Sequence, residues 1–143
     1  MKQHPVILYV EDNLVSRTVM KIFLGLRLGL PDVTIWDSSH DFAQRLAEIT
    51  PRPDLILLDL YMQPMDGYEM VNLIRQTPHY SDVPVIALTA PSDQTTSTYL
   101  QLCGFSGSLT KPLNLNRFPH IMRRILEGEP VWMTHFEPFW EAS

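Results

Sequence analysis

Short apolar runs separated by helical segments constrain the fold of this chain more than any other feature. Every residue of Val6–Val10, Leu55–Leu58 and Val85–Leu88 is apolar, which is typical of strands covered on both faces. Val33–Trp36 and Gly107–Thr110 complete a set of five strand-like segments. Because parallel strands are joined by crossover helices, this alternation predicts an α/β fold with a doubly wound parallel sheet.

Polar residues and prolines predict where the helices begin. Ser38 or Ser39 can cap the second helix. Pro119 suits only the first turn of the last helix, where its missing N–H would have no partner in any case. We therefore expect Asn116, rather than Asn114, to cap that helix.

Composition excludes several functions. The 143 residues fit one domain, and a net charge of −5 with no basic cluster longer than Arg123-Arg124 argues against nucleic-acid binding. The single cysteine, Cys103, excludes an intramolecular disulfide, and its apolar neighbours predict a buried side chain. Because Glu11-Asp12 interrupts the first apolar run, and no run approaches the roughly 20 residues of a membrane span, we expect a cytoplasmic protein without a signal peptide.

Polar side chains follow the strands of the predicted sheet. Glu11 and Asp12 follow the first strand, Asp59 the third, Thr89 the fourth and Lys111 the fifth. Because the carboxyl ends of parallel strands lie at one edge of the sheet, we expect all of these groups to share a site.

This set of groups suits a divalent cation and a phosphoryl group. Clustered carboxylates repel one another unless a cation lies between them, and an all-oxygen set suits Mg²⁺ or Mn²⁺. Asp59 is then a metal ligand or a nucleophile, while Lys111 and the Thr89 hydroxyl bind phosphoryl oxygens. Taken singly, Asp12 is more often a helix cap, Asp59 a turn residue, Thr89 a strand end and Lys111 a surface lysine. Their joint occurrence at strand ends favours the site.

Five motifs occur in order along the chain. They are Ile7–Asn13 (ILYVEDN), Asp54–Leu60 (DLILLDL), Met65–Gly67 (MDG), Pro84–Ala90 (PVIALTA) and Leu109–Pro112 (LTKP). Together they resemble the receiver domain of two-component response regulators, over about residues 5 to 127. The resemblance implies a flavodoxin-like sheet of strand order 2-1-3-4-5 with five helices.

The same resemblance implies a metal site around a phosphoacceptor. Asp59 would accept the phosphoryl group and also bind the metal. Asp12 would be a direct ligand, Glu11 would act mainly through metal-bound water, and Tyr61 would contribute its backbone carbonyl.

Phosphoryl binding is implied for a second group of residues. Thr89 and the backbone N–H of Ala90 would hold phosphoryl oxygens, and Lys111 would pair with the phosphate. The Lys111–Pro112 bond would be cis, which directs the lysine into the site.

The implied function is that of a single-domain response regulator. A sensor histidine kinase or phosphotransfer protein would donate the phosphoryl group, and the chain would catalyse only its own phosphorylation and dephosphorylation. Output would be protein–protein binding to an unnamed target through the fourth and fifth helices. One alternative is a phosphorylation-independent interaction module on a receiver scaffold. Another is a phosphotransferase or hydrolase acting on a small molecule, although the chain has no Gly-rich phosphate loop.

Several positions depart from the family pattern. Ser108 stands where receivers usually carry the Tyr or Phe that moves inward on phosphorylation, and Pro64 lies one place later than usual. Tyr61 and Pro91 flank the expected path of the hydrolytic water, and neither orients water well. We therefore expect slow autodephosphorylation.

The C-terminal segment lies beyond the part of the chain that resembles the receiver domain. We expect a receiver domain over residues 1–127 and an aromatic-rich tail over residues 128–143, with Pro138 arguing against one continuous helix. The tail either folds back on its own domain or forms a homodimer or partner contact. Its aromatic side chains are Trp132, Phe136, Phe139 and Trp140.

Overall fold

The structure is a computed structural model that describes residues 4–135. The strands are β1 (Ile7–Val10), β2 (Val33–Trp36), β3 (Leu55–Asp59), β4 (Val85–Thr89) and β5 (Gly107–Thr110). The helices are α1 (Leu14–Lys21), α2 (Phe42–Glu48), α3 (Gly67–Gln76), α4 (Ser97–Cys103) and α5 (Phe118–Leu126). All strands pair in parallel in the order β2-β1-β3-β4-β5, so the predicted fold and strand order are confirmed. Within residues 4–135, no helix combines the length and the apolar content that a membrane span needs.

Two apolar layers hold the sheet between the helices. Along β1, Leu8 and Val10 face the layer covered by α2, α3 and α4, while Ile7 and Tyr9 face the layer covered by α1 and α5. The residues of β1 and β3 are fully or nearly fully buried, and each large apolar side chain removed from water contributes about 1.5–3 kcal/mol. This burial on both faces explains why the strands are continuously apolar.

The beginning of α1 follows local capping rules. The Asn13 side chain accepts a hydrogen bond from the backbone N–H of Ser16 at 2.8 Å, which satisfies one of the unpaired groups of the first turn. After Lys21 the helix continues as a π-helical segment, Ile22–Arg27.

The predicted cap of α2 is wrong. The helix begins at Phe42, after Asp41 in a left-handed conformation (φ 52°). Ser39 is buried, and its hydroxyl accepts a hydrogen bond from the backbone N–H of Met65 at 2.8 Å. Ser38 accepts instead from the N–H of His40 at 3.0 Å. Ser39 is thus engaged by the loop before α3, which is distant in sequence.

The predicted cap of α5 is also wrong. The helix begins at Phe118, and the Asn114 side chain accepts from the backbone N–H groups of Asn116 at 2.9 Å and Arg117 at 3.2 Å. An intervening turn therefore separates the asparagine from the helix. Pro119 lies in the first turn, as expected.

After α5, residues 131–135 fold back along the outer edge of β5. The Ser108 N–H donates to the Val131 carbonyl at 2.9 Å, and the Met133 N–H donates to the Ser108 carbonyl at 3.1 Å. Val131 joins the apolar layer of α1 and α5, whereas Trp132 packs against the opposite layer. This part of the tail therefore folds back on its own domain. The remaining aromatic side chains, Phe136, Phe139 and Trp140, lie outside the described residues.

Gly107 permits this close approach, and its replacement tests the tail contact. A Cβ atom at position 107 would lie 2.5 Å from the Val131 carbonyl oxygen and 3.0 Å from Ile86. We expect Gly107→Ala to lower the free energy of unfolding by about 1–3 kcal/mol and to speed amide hydrogen exchange at Met133. Urea unfolding and NMR-detected exchange measure the two effects.

Gly25→Ala is the matched control, because a Cβ atom there meets nothing within 4 Å. In a helix interior we expect this change to be neutral or stabilising by roughly 0.5–1 kcal/mol. Wild-type stability and wild-type Met133 protection in Gly107→Ala would contradict the tail contact.

Candidate functional site

Three carboxylates meet at the carboxyl edge of the sheet. Glu11 and Asp12 follow β1, and Asp59 is the last residue of the neighbouring strand β3. One oxygen atom from each lies within 4.8 Å of the others. Lys111 follows β5 and reaches the same cluster, with its Nζ atom 3.3 Å from Asp59 Oδ1. The structure thus brings together four of the residues that the sequence singled out.

Glu11 is fully buried and is surrounded by hydrogen-bond donors. Its Oε1 atom accepts from Lys111 Nζ at 2.5 Å and from the Tyr9 hydroxyl at 2.9 Å. Its Oε2 atom accepts from the Asn13 N–H at 3.3 Å. Burial alone would raise the pKa of Glu11, but the hydrogen bond from Lys111, with further hydrogen bonds and the lysine charge, lowers it below its ordinary value. Glu11 is therefore an ionised carboxylate in the protein interior.

The surroundings of Asp59, in contrast to those of Glu11, favour the protonated carboxyl group. Burial, followed by the hydrogen bond and the negative charge of Glu11, raises the pKa of Asp59 from 3.8 to about 7. Lys111 opposes this rise without cancelling it. In the absence of a further cation, the Asp59 carboxyl thus holds its proton well above its ordinary range.

Lys111 is positioned by backbone contacts as well as by the carboxylates. The backbone N–H of Lys111 donates to the Thr89 carbonyl at 2.8 Å. The Lys111–Pro112 bond is cis, as the resemblance implies. Burial acts to lower the pKa of Lys111, but Glu11 and Asp59 raise it above its ordinary value. The lysine is a fixed positive charge between two carboxylates.

Thr89 and Ala90 lie at the end of β4, but their donors are engaged elsewhere. The Thr89 hydroxyl donates to the Leu109 carbonyl at 3.3 Å. The Ala90 N–H donates to the Asp93 carboxylate at 2.6 Å. Lys111 is therefore the predicted phosphoryl-binding group that already lies against Asp59, whereas the other two donors are bonded to acceptors of the protein itself.

Tyr61 and Asp12 line an open cleft of about 560 Å³ beside the carboxylates. The Tyr61 side chain is 57% exposed, and its ring lies 6.5 Å from that of Tyr68. Burial and the neighbouring Asp93 side chain raise the pKa of the Tyr61 phenol. At Gly67 a Cβ atom would lie 2.5 Å from the Asp59 carbonyl oxygen, so glycine is needed for α3 to begin against this loop.

Ser108 is occupied by the C-terminal segment. Its side chain is fully buried, and its hydroxyl donates to the Met133 carbonyl at 2.6 Å and accepts from the Met133 N–H at 3.0 Å. Further along, His135 Nε2 lies 3.0 Å from the Lys111 carbonyl oxygen. The position of the usual aromatic side chain therefore serves here as an attachment point for the tail.

Sequence reasoning missed three residues around the site. Tyr9 donates to Glu11, Arg17 Nη1 donates to the Glu11 carbonyl at 3.1 Å, and Asp93 accepts from the Ala90 N–H. A tyrosine inside an apolar strand, two residues before a buried acid, was a usable signal. No local pattern singled out Arg17 or Asp93.

The donor set fits a hard divalent cation. Glu11, Asp12 and Asp59 offer only oxygen atoms, which Mg²⁺ and Mn²⁺ prefer over nitrogen- or sulfur-rich sites. Asp12 is exposed and adjoins the open cleft, so the cluster is accessible from solvent.

The raised pKa of Asp59 predicts a pH-dependent effect of Asp59→Asn in metal-free protein. Between pH 4 and pH 7 the folded state keeps a proton that the unfolded state has lost, so stability falls as pH rises through this window. Above pH 7 the buried, ionised Asp59 carboxylate lowers the free energy of unfolding by its full amount, and the neutral side chain of Asn removes this destabilisation. We expect Asp59→Asn to stabilise the protein by about 2–4 kcal/mol at pH 8 and little at pH 4.

Urea unfolding with EDTA at several pH values measures this difference. Asp82→Asn is the control, because the Asp82 side chain is 92% exposed and lies before the opposite end of β4. A difference between wild type and Asp59→Asn that does not change with pH would contradict the assignment.

Known proteins share both the sequence pattern and the fold. Residues 7–123 match the family model of the response regulator receiver domain. The signal transduction histidine-protein kinase BarA of Escherichia coli (strain K12) is 29% identical over 140 residues, which cover 91% of this chain and 15% of BarA. The probable C4-dicarboxylate response regulator DctR of Halalkalibacterium halodurans is 32% identical over 119 residues, covering 82% of this chain and 50% of DctR.

A crystal structure of the receiver domain of the sensor histidine kinase PA1611 from Pseudomonas aeruginosa PAO1 matches with a TM-score of 0.71 and 31% identity. The match covers 85% of this chain and 96% of that domain, which has a magnesium ion coordinated in its active site cleft. This chain spans half or less of the length of BarA and DctR. Because the family model spans most of the sequence, this chain belongs to the response regulator receiver domain family of two-component systems.

Proposed function

We propose that this receiver accepts a phosphoryl group on Asp59 from a sensor histidine kinase or a phosphotransfer protein. The observation that carries the proposal is the contact of Lys111 Nζ with Asp59 Oδ1 at 3.3 Å, within a cluster of three carboxylates. A positive charge held beside a nucleophilic carboxylate can bind the phosphoryl oxygens that approach it.

In this proposal, Mg²⁺ or Mn²⁺ is held by Asp12, Asp59 and the Tyr61 carbonyl, with Glu11 acting mainly through water. Support comes from the oxygen-only donor set and from the magnesium ion in the PA1611 receiver domain. A bound cation would offset the repulsion between Glu11 and Asp59 and so favour the ionised, nucleophilic form of Asp59.

The transfer itself requires little from the protein beyond positioning. An Asp59 oxygen forms a bond to phosphorus as the bond from phosphorus to the donor histidine nitrogen breaks. Lys111 pairs with the arriving phosphoryl oxygens. The Thr89 hydroxyl and the Ala90 N–H bind these oxygens only after leaving their present acceptors, Leu109 and Asp93.

A kinase as the donor is supported by the relatives, because BarA and PA1611 are themselves histidine kinases that contain such a domain.

For the output we propose protein–protein binding, since a net charge of −5 does not favour nucleic acid. A cytoplasmic location belongs to the same proposal. Homodimer formation stays a prediction.

Acyl-phosphate labelling tests the function directly. We expect wild-type protein with Mg²⁺ and acetyl phosphate to gain the mass of one phosphoryl group, and Asp59→Asn to gain none. Intact-mass spectrometry measures the adduct, and size-exclusion elution reports any accompanying assembly. Asp82→Asn is the matched control and should label like wild type.

Removal of Mg²⁺ with EDTA should abolish the labelling. Equal labelling of wild type and Asp59→Asn would remove Asp59 from the proposed role. No labelling, together with no binding of the phosphoryl mimic beryllofluoride, would instead favour an interaction module that works without phosphorylation.

The lifetime of the phosphoryl group tests the role of the Tyr61 side chain. The phenol is bulky and exposed at the cleft, so we expect it to hinder the hydrolytic water. The phosphorylated wild type should persist for minutes to hours, and Tyr61→Asn, whose amide can orient a water, should shorten this lifetime several-fold. Loss of the adduct is followed by intact mass.

Tyr99→Asn is the control, because Tyr99 is an exposed tyrosine of the same ring cluster with no assigned role at the site. A wild-type lifetime of seconds, or equal lifetimes in wild type and Tyr61→Asn, would contradict this role.

A further inference from the structure

The loop after β4 contains a carboxylate bound where a phosphoryl oxygen is expected. Asp93 Oδ2 accepts the Ala90 N–H at 2.6 Å, and the Asp93 N–H donates back to the Ala90 carbonyl at 3.0 Å. Only 7% of Asp93 is exposed to solvent. The two bonds close the turn from Ala90 to Asp93 and fix the carboxylate over the end of β4.

The same carboxylate lies near the Tyr61 phenol. Burial and the Asp93 side chain together raise the pKa of this phenol. Tyr61 lies two residues after Asp59, in the loop that follows β3. Asp93 therefore lies beside both loops that border the phosphoacceptor.

We propose that Asp93 is an internal competitor of the phosphoryl group: its carboxylate occupies the Ala90 N–H and must leave before a phosphoryl oxygen can bind there. The inference rests on the proposed phosphorylation of Asp59. An N–H group has one hydrogen to donate, so it cannot fully satisfy the carboxylate and a phosphoryl oxygen together. Both groups are also negative, so each disfavours the other at short range.

Displacement of Asp93 has a structural consequence. The carboxylate belongs to the segment that leads from β4 into α4, which begins at Ser97. When the Asp93 carboxylate leaves Ala90, this segment loses one of the two bonds that close its turn. Binding at the phosphoryl site is thereby coupled to the loop before α4 through Asp93, which acts as a positioning residue. In other receivers this coupling involves the aromatic side chain that stands at the position of Ser108.

The competition predicts a gain of binding when Asp93 is removed. A hydrogen bond to a charged acceptor is stronger than one to a neutral acceptor, so its loss should tighten beryllofluoride binding with Mg²⁺ by roughly tenfold to a hundredfold in Asp93→Ala. Asp93→Asn should give a smaller gain, since its neutral amide oxygen can still accept from Ala90. Fluorescence or calorimetric titration of the full chain measures the affinity.

A second readout does not depend on phosphorylation. In the ¹H–¹⁵N spectrum of the unliganded protein, the Ala90 amide proton should move upfield in Asp93→Ala, because it loses a short bond to a carboxylate. Asp82→Asn is the control for loss of a remote carboxylate and should change neither the affinity nor the Ala90 signal. A residue with a merely structural role would weaken mimic binding when it is removed, not strengthen it.

The outcomes separate this inference from the proposed function. Wild-type binding that depends on Asp59 but is not tightened in Asp93→Ala would overturn the competitor and leave the function standing. An unchanged Ala90 signal in Asp93→Ala would also overturn it. Binding in Asp93→Ala alone would support the competitor strongly, and no binding in either protein would overturn both proposals.

Discussion

The buried ion pair between Lys111 and Glu11 is the interaction on which the arrangement of the site depends. The two residues are 100 positions apart, and they follow β5 and β1, which are separated in the sheet by β4 and β3. Glu11 has no exposed surface, and removal of one partner from such a pair typically costs about 3–5 kcal/mol because a buried charge is left unpaired. Closing this pair brings Lys111 over the carboxyl edge of β3, where Asp59 lies.

That pairing leaves the three-carboxylate site short of positive charge. Lys111 stabilises the ionised form of Glu11, and the repulsion falls on Asp59, whose pKa rises. A site with this excess of negative charge favours binding of a cation. The donors expected to hold a phosphoryl group are meanwhile satisfied by Leu109 and Asp93, as buried N–H and O–H groups generally are. The unphosphorylated protein is thus internally bonded at each of these positions.

The outer edge of the sheet, at β5, is covered by the chain's own C-terminal segment. Gly107 and Ser108 are small enough for residues 131–135 to lie against β5, and the serine hydroxyl bonds to Met133. An exposed edge strand tends to pair with other chains, and the tail covers this one. Through His135, the same segment reaches the carbonyl of Lys111, so the tail and the site share a boundary.

The sequence by itself determined the features that depend on near neighbours and on the period of apolar residues. The continuous apolar runs predicted β1, β3 and β4, and the order of polar strand ends predicted that Glu11, Asp12, Asp59 and Lys111 would meet. The caps chosen for α2 and α5 were wrong because side chains such as Ser39 are engaged by residues far along the chain. Only the tertiary structure decided that Tyr9 bonds Glu11, that Asp93 holds the Ala90 N–H and that Ser108 receives the tail. The bond between Ser108 and Met133 joins segments whose approach is set by the packing of two apolar layers on the sheet. Tyr9 and Asp93 instead contact residues two and three positions away, and the direction in which each of these side chains turns depends on the surrounding fold.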